Sequence, residues 1–363
     1  GISKYERISW DEATDIIASE LKRIHAQYGP LAVLAQIDGH GESKIIHAAH
    51  GCPGKLLDLM GGYTLQARQP DSWEGWTWGA KHIWGMDPVG KQGHVQNLFQ
   101  DIAEHGDAVL YWGADPETTP WGWGGMQPGR LVRWLHDVGL KSIFISPDLN
   151  YTGAAHEGKW IPILPNTDAA LHCALAYVWI KEGTYDKDYI ATHSVGFEDF
   201  ENYIMGGEDG VPKTPKWAAP ITGIPERQIK ALARYWAKHA VSIAHCAGGG
   251  LIRAAYSSEP ARLEVALLAM QGLGKPGAGQ INFMDWGLFG IDEIYPLPRS
   301  ACQPDLSSVY NGWAMLTYPV NFIPKTLIPE AITNPPVKWR GGHVIAGLPA
   351  EDQIVEWDFP HDG

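Results

Sequence analysis

Ala108-Val109-Leu110-Tyr111-Trp112-Gly113-Ala114-Asp115-Pro116-Glu117-Thr118 is an apolar run that stops abruptly in glycine, acid and proline. Five apolar residues bounded by turn formers predict a buried strand that feeds a loop. The same grammar recurs downstream. Ser142–Ile145 reads as a strand followed by Ser146-Pro147-Asp148, and Val241–Cys246 runs into Gly248-Gly249-Gly250. Helical stretches lie between them: Leu131–Val138, Asp168–Lys181, Ile229–Lys238 after Pro225, and one opened by Pro260 that continues through Met270. Ile281–Met284 reads as a further short strand. Alternating strands and helices predict an α/β fold built on parallel sheets.

Outward from that core the pattern loosens. Ser9 and Glu12 form a capping box, and Ile16, Ile17, Leu21 and Ile24 keep helical spacing until Gly29-Pro30. Leu31–Ile37 reads as a buried strand, followed by Gly39-His40-Gly41 and a helical stretch to Gly61-Gly62. From Gln69 to about His94 the chain reads as a long aromatic loop, and after about Gly287 it turns proline-rich and irregular.

Composition narrows the function. A length of 363 residues with 45% hydrophobic content supports one large or two smaller α/β lobes. A formal net charge of −13 argues against nucleic acid and against an anionic membrane surface. No apolar run is long enough to span a bilayer. No signal peptide is visible either, so the expectation is a cytoplasmic protein, although the chain opens on Gly1 rather than Met. The four cysteines, Cys52, Cys173, Cys246 and Cys302, form no C-x-x-C pair, which argues against a cysteine-bound cluster. Seventeen tryptophans exceed what a core needs, so some are expected to line a pocket.

Several motifs carry chemistry, each with a plain structural alternative. Pro70-Asp71-Ser72-Trp73-Glu74-Gly75-Trp76 sets an acid, a hydroxyl and two flat rings side by side. Asp71 can move a proton, and Ser72 can act as a nucleophile or ligate a hard metal. Trp73 and Trp76 can wall in a flat substrate; the alternative is a Trp-rich loop packed on the core. His40 sits where a strand end meets a helix, a common ligand position in parallel sheets. Gly272-Leu273-Gly274-Lys275-Pro276-Gly277 matches the dinucleotide fingerprint in letters but follows a helix, so the fingerprint fails its context. His47, His50 and Cys52 lack the further ligands a zinc site requires. Asp168, after Pro165-Asn166-Thr167, either caps a helix or reaches a guanine edge.

Together these segments resemble the dimethyl sulfoxide reductase family of molybdopterin oxidoreductases. The residues that carry the resemblance are Tyr5 to Ala13, Trp112 to Thr118, Ser146-Pro147-Asp148 with Thr152, Pro165 to Leu171, Val195 to Glu198, and Gly274-Lys275-Pro276-Gly277. The resemblance implies a bis-molybdopterin guanine dinucleotide cofactor around molybdenum, with tungsten as the alternative. It implies cofactor contacts at Trp112, Gly113, Asp115, Pro116, Glu117, Pro147, Asp148, Thr152, Asn166, Thr167, Asp168, Gly248, Gly249, Arg253, Gly274 and Lys275. It also implies two lobes: 1–105 with 290–363 around the metal, and 106–289 around the dinucleotides. The family's N-terminal cysteine segment and closing C-terminal domain are expected to be missing from this stretch of chain.

Within the family, Asp71 to Trp76 is most similar to the transhydroxylase branch. That likeness implies Ser72 as metal ligand, a catalytic set of His40, Asp71, Trp73 and Tyr295, a phenolic aromatic substrate and a small iron–sulfur partner subunit. Trp76, Trp78 and Trp84 would join Trp73 around the ring. Gly41, Ala48-Ala49, Ala247 and Arg299 depart from that branch, and Ser146 stands where the family has a ribose-binding aspartate. These departures leave the substrate open, with an oxyanion or S/N-oxide reductase, or a non-catalytic fragment, as alternatives.

Overall fold

The computed structural model describes residues 4–36, 52–67, 74–84, 95–118, 127–245, 250–252, 255–256, 258–282, 322–335, 337–341 and 355–358. The chain divides into two compact units: Gly1–Gln69 with Pro298–Ala346 and Glu351–Gly363, and Pro70–Leu297 with Gly347–Ala350.

The first unit opens with α1 (Trp10–Tyr28). The Ser9 side chain accepts from the Glu12 amide at 3.1 Å, and Gly29 ends the helix at φ 85°, as the capping box and the Gly-Pro stop predict. The strand expected over 31–37 is shorter. Pro30–Ala32 forms a 3₁₀ turn, because proline suits a first helical turn, and β1 keeps only Leu34–Ala35. After α2 (Cys52–Leu59), β2 (Thr64–Ala67) pairs in parallel with β1. Ala35, Leu57, Tyr63 and Leu65 form a small core, with Leu21 and Val33 packed against it.

The second unit carries the main sheet. After α3 (Glu74–Trp84) and α4 (Val95–His105) in the chain, five parallel strands run in the order β5-β4-β3-β6-β7. They are β3 (Ala108–Trp112), β4 (Lys141–Ser146), β5 (Lys159–Pro162), β6 (Val241–His245) and β7 (Gln280–Asn282). Every β3 residue is buried, so the apolar run is covered on both faces. Val109 and Tyr111 join the core built from Phe99 and Ile102 of α4 and Val132 and Leu135 of α5 (Gln127–Asp137). Trp112 faces the opposite way and meets α7 (Asp168–Glu182). Helix–sheet–helix layering follows from the two-residue side-chain period of the strand.

The crossovers were only partly foreseen. Beyond α5 the structure adds α6 (Tyr151–Ala155) between β4 and β5. From β5 to β6 the chain passes through α7, then α8 (Lys187–His193), α9 (Phe197–Met205), α10 (Pro215–Thr222) and α11 (Glu226–Trp236). In α11, Ile229, Leu232, Ala233 and Trp236 bury one stripe at helical spacing. Then α12 (Ser258–Met270) connects β6 to β7.

One expectation is corrected. Part of the segment read as an aromatic loop is helical, since α3 occupies Glu74–Trp84. Gly79 explains the helix: a Cβ there would lie 2.3 Å from the Ser258 carbonyl oxygen, so the bare glycine lets α3 lie against α12. Trp76 is accordingly a core residue, 2% exposed and edge-on to Trp84 at 5.7 Å. The segment 70–105, expected with the first lobe, supplies α3 and α4 to the second unit. Late in the chain, β8 (Phe322–Pro324) joins β2 in parallel, followed by α13 (Ile328–Thr333) and the antiparallel pair β9 (Lys338–Gly341) and β10 (Val355–Asp358). All four belong to the first unit.

Candidate functional site

Because the five strands are parallel, the loops that follow them gather at one edge of the sheet. From β3 the chain moves outward to β4 and β5, then returns to lay β6 and β7 on the other side. The strand order therefore reverses between β3 and β6, and ligands of open α/β sheets bind outside the C-terminal ends at such a point. There Gly113, at φ +60°, crosses Gly250. A Cβ on Gly250 would sit 2.4 Å from the Gly113 carbonyl oxygen, so only bare backbone fits the crossing.

Hydrogen bonds fix the neighbouring loops. Asp115 Oδ1 accepts from the Thr152 amide at 3.0 Å and the Thr152 hydroxyl at 2.6 Å, while Oδ2 accepts from Thr118 at 2.5 Å. The Glu117 amide donates to Thr152 Oγ1 at 3.0 Å, and Asn150 donates to the Ala114 carbonyl at 3.1 Å. The Glu117 carboxylate pairs with His156 at 2.7 Å. Burial pushes the Asp115 carboxyl up, but bonds from Thr118 and Thr152 outweigh it and hold the group below its ordinary value. Asp115, Glu117 and Thr152 thus tie the β3 loop to α6. Thr152 and Pro116 are buried, whereas Pro147 and Asp148 stand exposed beside them. Ser146, in place of the family's aspartate, turns its hydroxyl to the Asp148 carbonyl at 2.6 Å.

The head of α7 completes this edge. Thr167 precedes the helix but donates its hydroxyl to the Leu164 carbonyl at 2.6 Å, so no side chain caps the first turn. Asn166 holds φ +62°, a left-handed conformation that costs a non-glycine residue and tends to persist where the surroundings impose it. Asp168, the first helical residue, accepts the Trp112 indole N–H at 2.8 Å. Burial raises its carboxyl above the usual range, with the Trp112 bond opposing. Behind it, His172 stacks on Trp112 with ring centroids 4.1 Å apart and planes 3° apart. No signal in the sequence pointed to His172 beyond its place one helical turn after Asp168.

This edge brings together Trp112, Gly113, Asp115, Pro116, Glu117, Pro147, Asp148, Thr152, Asn166, Thr167 and Asp168. It does not gather Gly274 and Lys275, which precede β7 and so lie at the sheet's other edge. His40, Asp71, Ser72, Trp73, Tyr295, Gly248, Gly249 and Arg253 lie outside the described residues, as do His47 and His50. Among the described residues no cluster of three or more His, Cys, Asp or Glu groups is placed to hold a metal. A cavity of about 650 Å³ bordered by Lys141, Ile143, Ile161, Leu232 and Tyr235 opens at the start of β4 and β5, away from the loops. The C-terminal edge instead offers a helix start without a side-chain cap and an acceptor carboxylate. That set suits an elongated ligand bearing anionic groups and a base with N–H donors.

Comparison with known proteins gives the site a context. Residues 2–314 match the molybdopterin oxidoreductase family profile. The chain is 34% identical to the large subunit of pyrogallol hydroxytransferase from Pelobacter acidigallici, across 99% of its own length and 43% of that protein. It is 31% identical to the dimethyl sulfoxide/trimethylamine N-oxide reductase of Rhodobacter capsulatus, across 92% of its length and 40% of that protein. Among solved structures, acetylene hydratase from Pelobacter acetylenicus aligns with 75% of this chain and 34% of its own, at 22% identity and a TM-score of 0.44. The chain spans less than half the length of the curated relatives named here. Among the described residues no helix is long and apolar enough to cross a membrane.

Proposed function

The chain belongs to the molybdopterin oxidoreductase family, and on that premise we propose that it forms part of a cytoplasmic molybdenum or tungsten enzyme that transfers a hydroxyl group on a phenolic aromatic. The observation that carries this reading is the likeness to pyrogallol hydroxytransferase along 99% of the chain, joined to the Asp71-Ser72-Trp73 run. The relative is a large subunit, which supports a smaller partner subunit, proposed here to carry iron–sulfur clusters.

The residues at the C-terminal edge fit the guanine dinucleotide form of the cofactor. The Gly113–Gly250 crossing brings two strand-end loops together where the strand order reverses, and α7 starts beside them without a side-chain cap, its dipole favouring an anion. The Asp168 carboxylate accepts from a base, and Asp148, in the loop after β4, is exposed. Trp112, Pro116 and Thr152 are buried and hold the loops in place. When bound, the metal–pterin group supplies a redox centre that cycles between oxidation states. Ser72 is assigned as the protein ligand to the metal, an alkoxide suiting a hard ion. His40 and Asp71 take and return the phenolic protons, a role suited to an imidazole that titrates near neutrality. Trp73 is assigned to flank the ring, and Tyr295 to the catalytic set.

Native protein incubated with trihydroxybenzenes and no electron donor is the test. Hydroxyl transfer under those conditions is expected, and His40→Ala should slow it by about 10²–10⁴-fold with the metal retained. Reduction of an S- or N-oxide that needs an added donor, with no transfer between phenols, would replace this reading with the reductase one. The 31% identity to the Rhodobacter reductase makes that the second reading.

A further inference from the structure

His172 has no assigned role, and its surroundings are unusual for a core histidine. It is 0% exposed, and its ring makes no well-aligned side-chain hydrogen bond, approaching only the Asp168 backbone one helical turn earlier. A buried imidazole so poorly paired is costly, so a purely structural position would favour an apolar ring. The ring lies flat on Trp112, whose indole N–H is spent on Asp168. Asp168 and His172 stand four residues apart on α7, so they share one face of the helix. Trp112 comes from β3 and enters that face from the sheet. Of the three, Trp112 and His172 are fully buried, while Asp168 retains 9% exposure, so only Asp168 can reach a ligand.

We propose that His172 is a positioning residue for purine-base recognition: its ring fixes the plane of Trp112, and the indole N–H in turn fixes the Asp168 carboxylate at the head of α7. Without the stack, the indole gains a direction in which to tilt and the carboxylate loses its anchor. A guanine presents two adjacent donors, the ring N1–H and the exocyclic amine, and a fixed carboxylate can accept from both. Hypoxanthine lacks the amine. The pairing therefore selects guanine over hypoxanthine through geometry that His172 maintains. This inference rests on the proposed guanine-nucleotide site.

The test is calorimetric titration of the 363-residue chain with GDP and with IDP. The wild type should prefer GDP by roughly tenfold or more, the contribution of one hydrogen bond to a charged acceptor. Asp168→Ala should abolish the preference. His172→Ala should reduce it to within about twofold, whereas His172→Phe, which keeps a flat ring, should preserve it. Trp112→Phe, which keeps a ring but loses the N–H, should behave like His172→Ala. If His172→Ala does not fold, His172→Leu fills the space without a flat ring and carries the same expectation. In a folded His172→Ala or His172→Leu protein, the Trp112 indole N–H resonance should shift and exchange faster with solvent. Full GDP preference in those variants overturns the positioning role while leaving the nucleotide site standing. Absence of any preference in the wild type, or its persistence in Asp168→Ala, overturns both.

Discussion

The two edges of the five-stranded sheet both carry glycine-rich segments that match the family, yet they are built for different ends. At the C-terminal edge Gly113 and Gly250 cross with bare backbone, α7 begins without a side-chain cap, and Asp168 keeps part of its surface. At the N-terminal edge the turn Gly274–Gly277 satisfies itself. The Gly277 amide donates to Asp101 at 2.7 Å, the Ser242 hydroxyl donates to the Gly277 carbonyl at 2.9 Å, and Lys275 is paired with Asp186. A shared motif is therefore a statement about descent; whether it meets a ligand depends on which groups its own fold leaves unsatisfied.

The largest effect should come from filling the crossing. Gly250→Val places a side chain against the Gly113 carbonyl and should cost about 3 kcal/mol or more, since overpacking rearranges backbone on both sides. Thermal unfolding checks the loss, and GDP titration should show the surviving folded protein binding weakly. Gly277→Ala should cost as much, because φ is +72° and a Cβ would lie 2.5 Å from the His105 carbonyl, yet leave GDP affinity unchanged. Equal effects of the two variants on GDP affinity would erase the contrast between the edges.

Next in size is a pH effect on the Trp112 stack. Burial holds His172 at about 4, well below 6.5, with Glu264 opposing. The folded state therefore binds fewer protons than the unfolded one between those values. Its contribution is complete above pH 6.5 and is lost on acidification toward pH 4, to the extent of about 3 kcal/mol. Urea melts of the wild type and His172→Phe should diverge across that window, with the variant showing the smaller slope. Parallel slopes would mean His172 is not held neutral.

Thr152→Val should cost about 1–3 kcal/mol, because it strands the Glu117 amide and removes a bond to Asp115, and it should weaken GDP binding as the β3 loop loosens. Lys275→Met is the smallest change. Its half-exposed lysine makes the pair with Asp186 worth about 1 kcal/mol at most, and GDP affinity should not move.

Sequence patterns announced the sheet well and its trimmings poorly. The apolar run Ala108–Trp112 and the capped helix from Ser9 are local signals, and the structure keeps both. The aromatic stretch around Trp76 looked like a loop because glycines interrupt it. Its helix depends on α12 packing at Gly79, a contact between residues distant in sequence. At the candidate site, Asp168 was legible from its place before a helix, but Trp112 as its anchor and His172 as a stacking partner were not. Those relations join β3 to α7 across 56 residues and leave no spacing to read.

The central claim is that the C-terminal edge of this sheet holds molybdopterin guanine dinucleotide. Acid hydrolysis of the native protein, with nucleotide and metal measured on the same sample, tests it most directly. The account predicts released GMP in a ratio of two per molybdenum or tungsten atom, and its loss in Gly250→Val. Native protein carrying metal but no guanine nucleotide would contradict it.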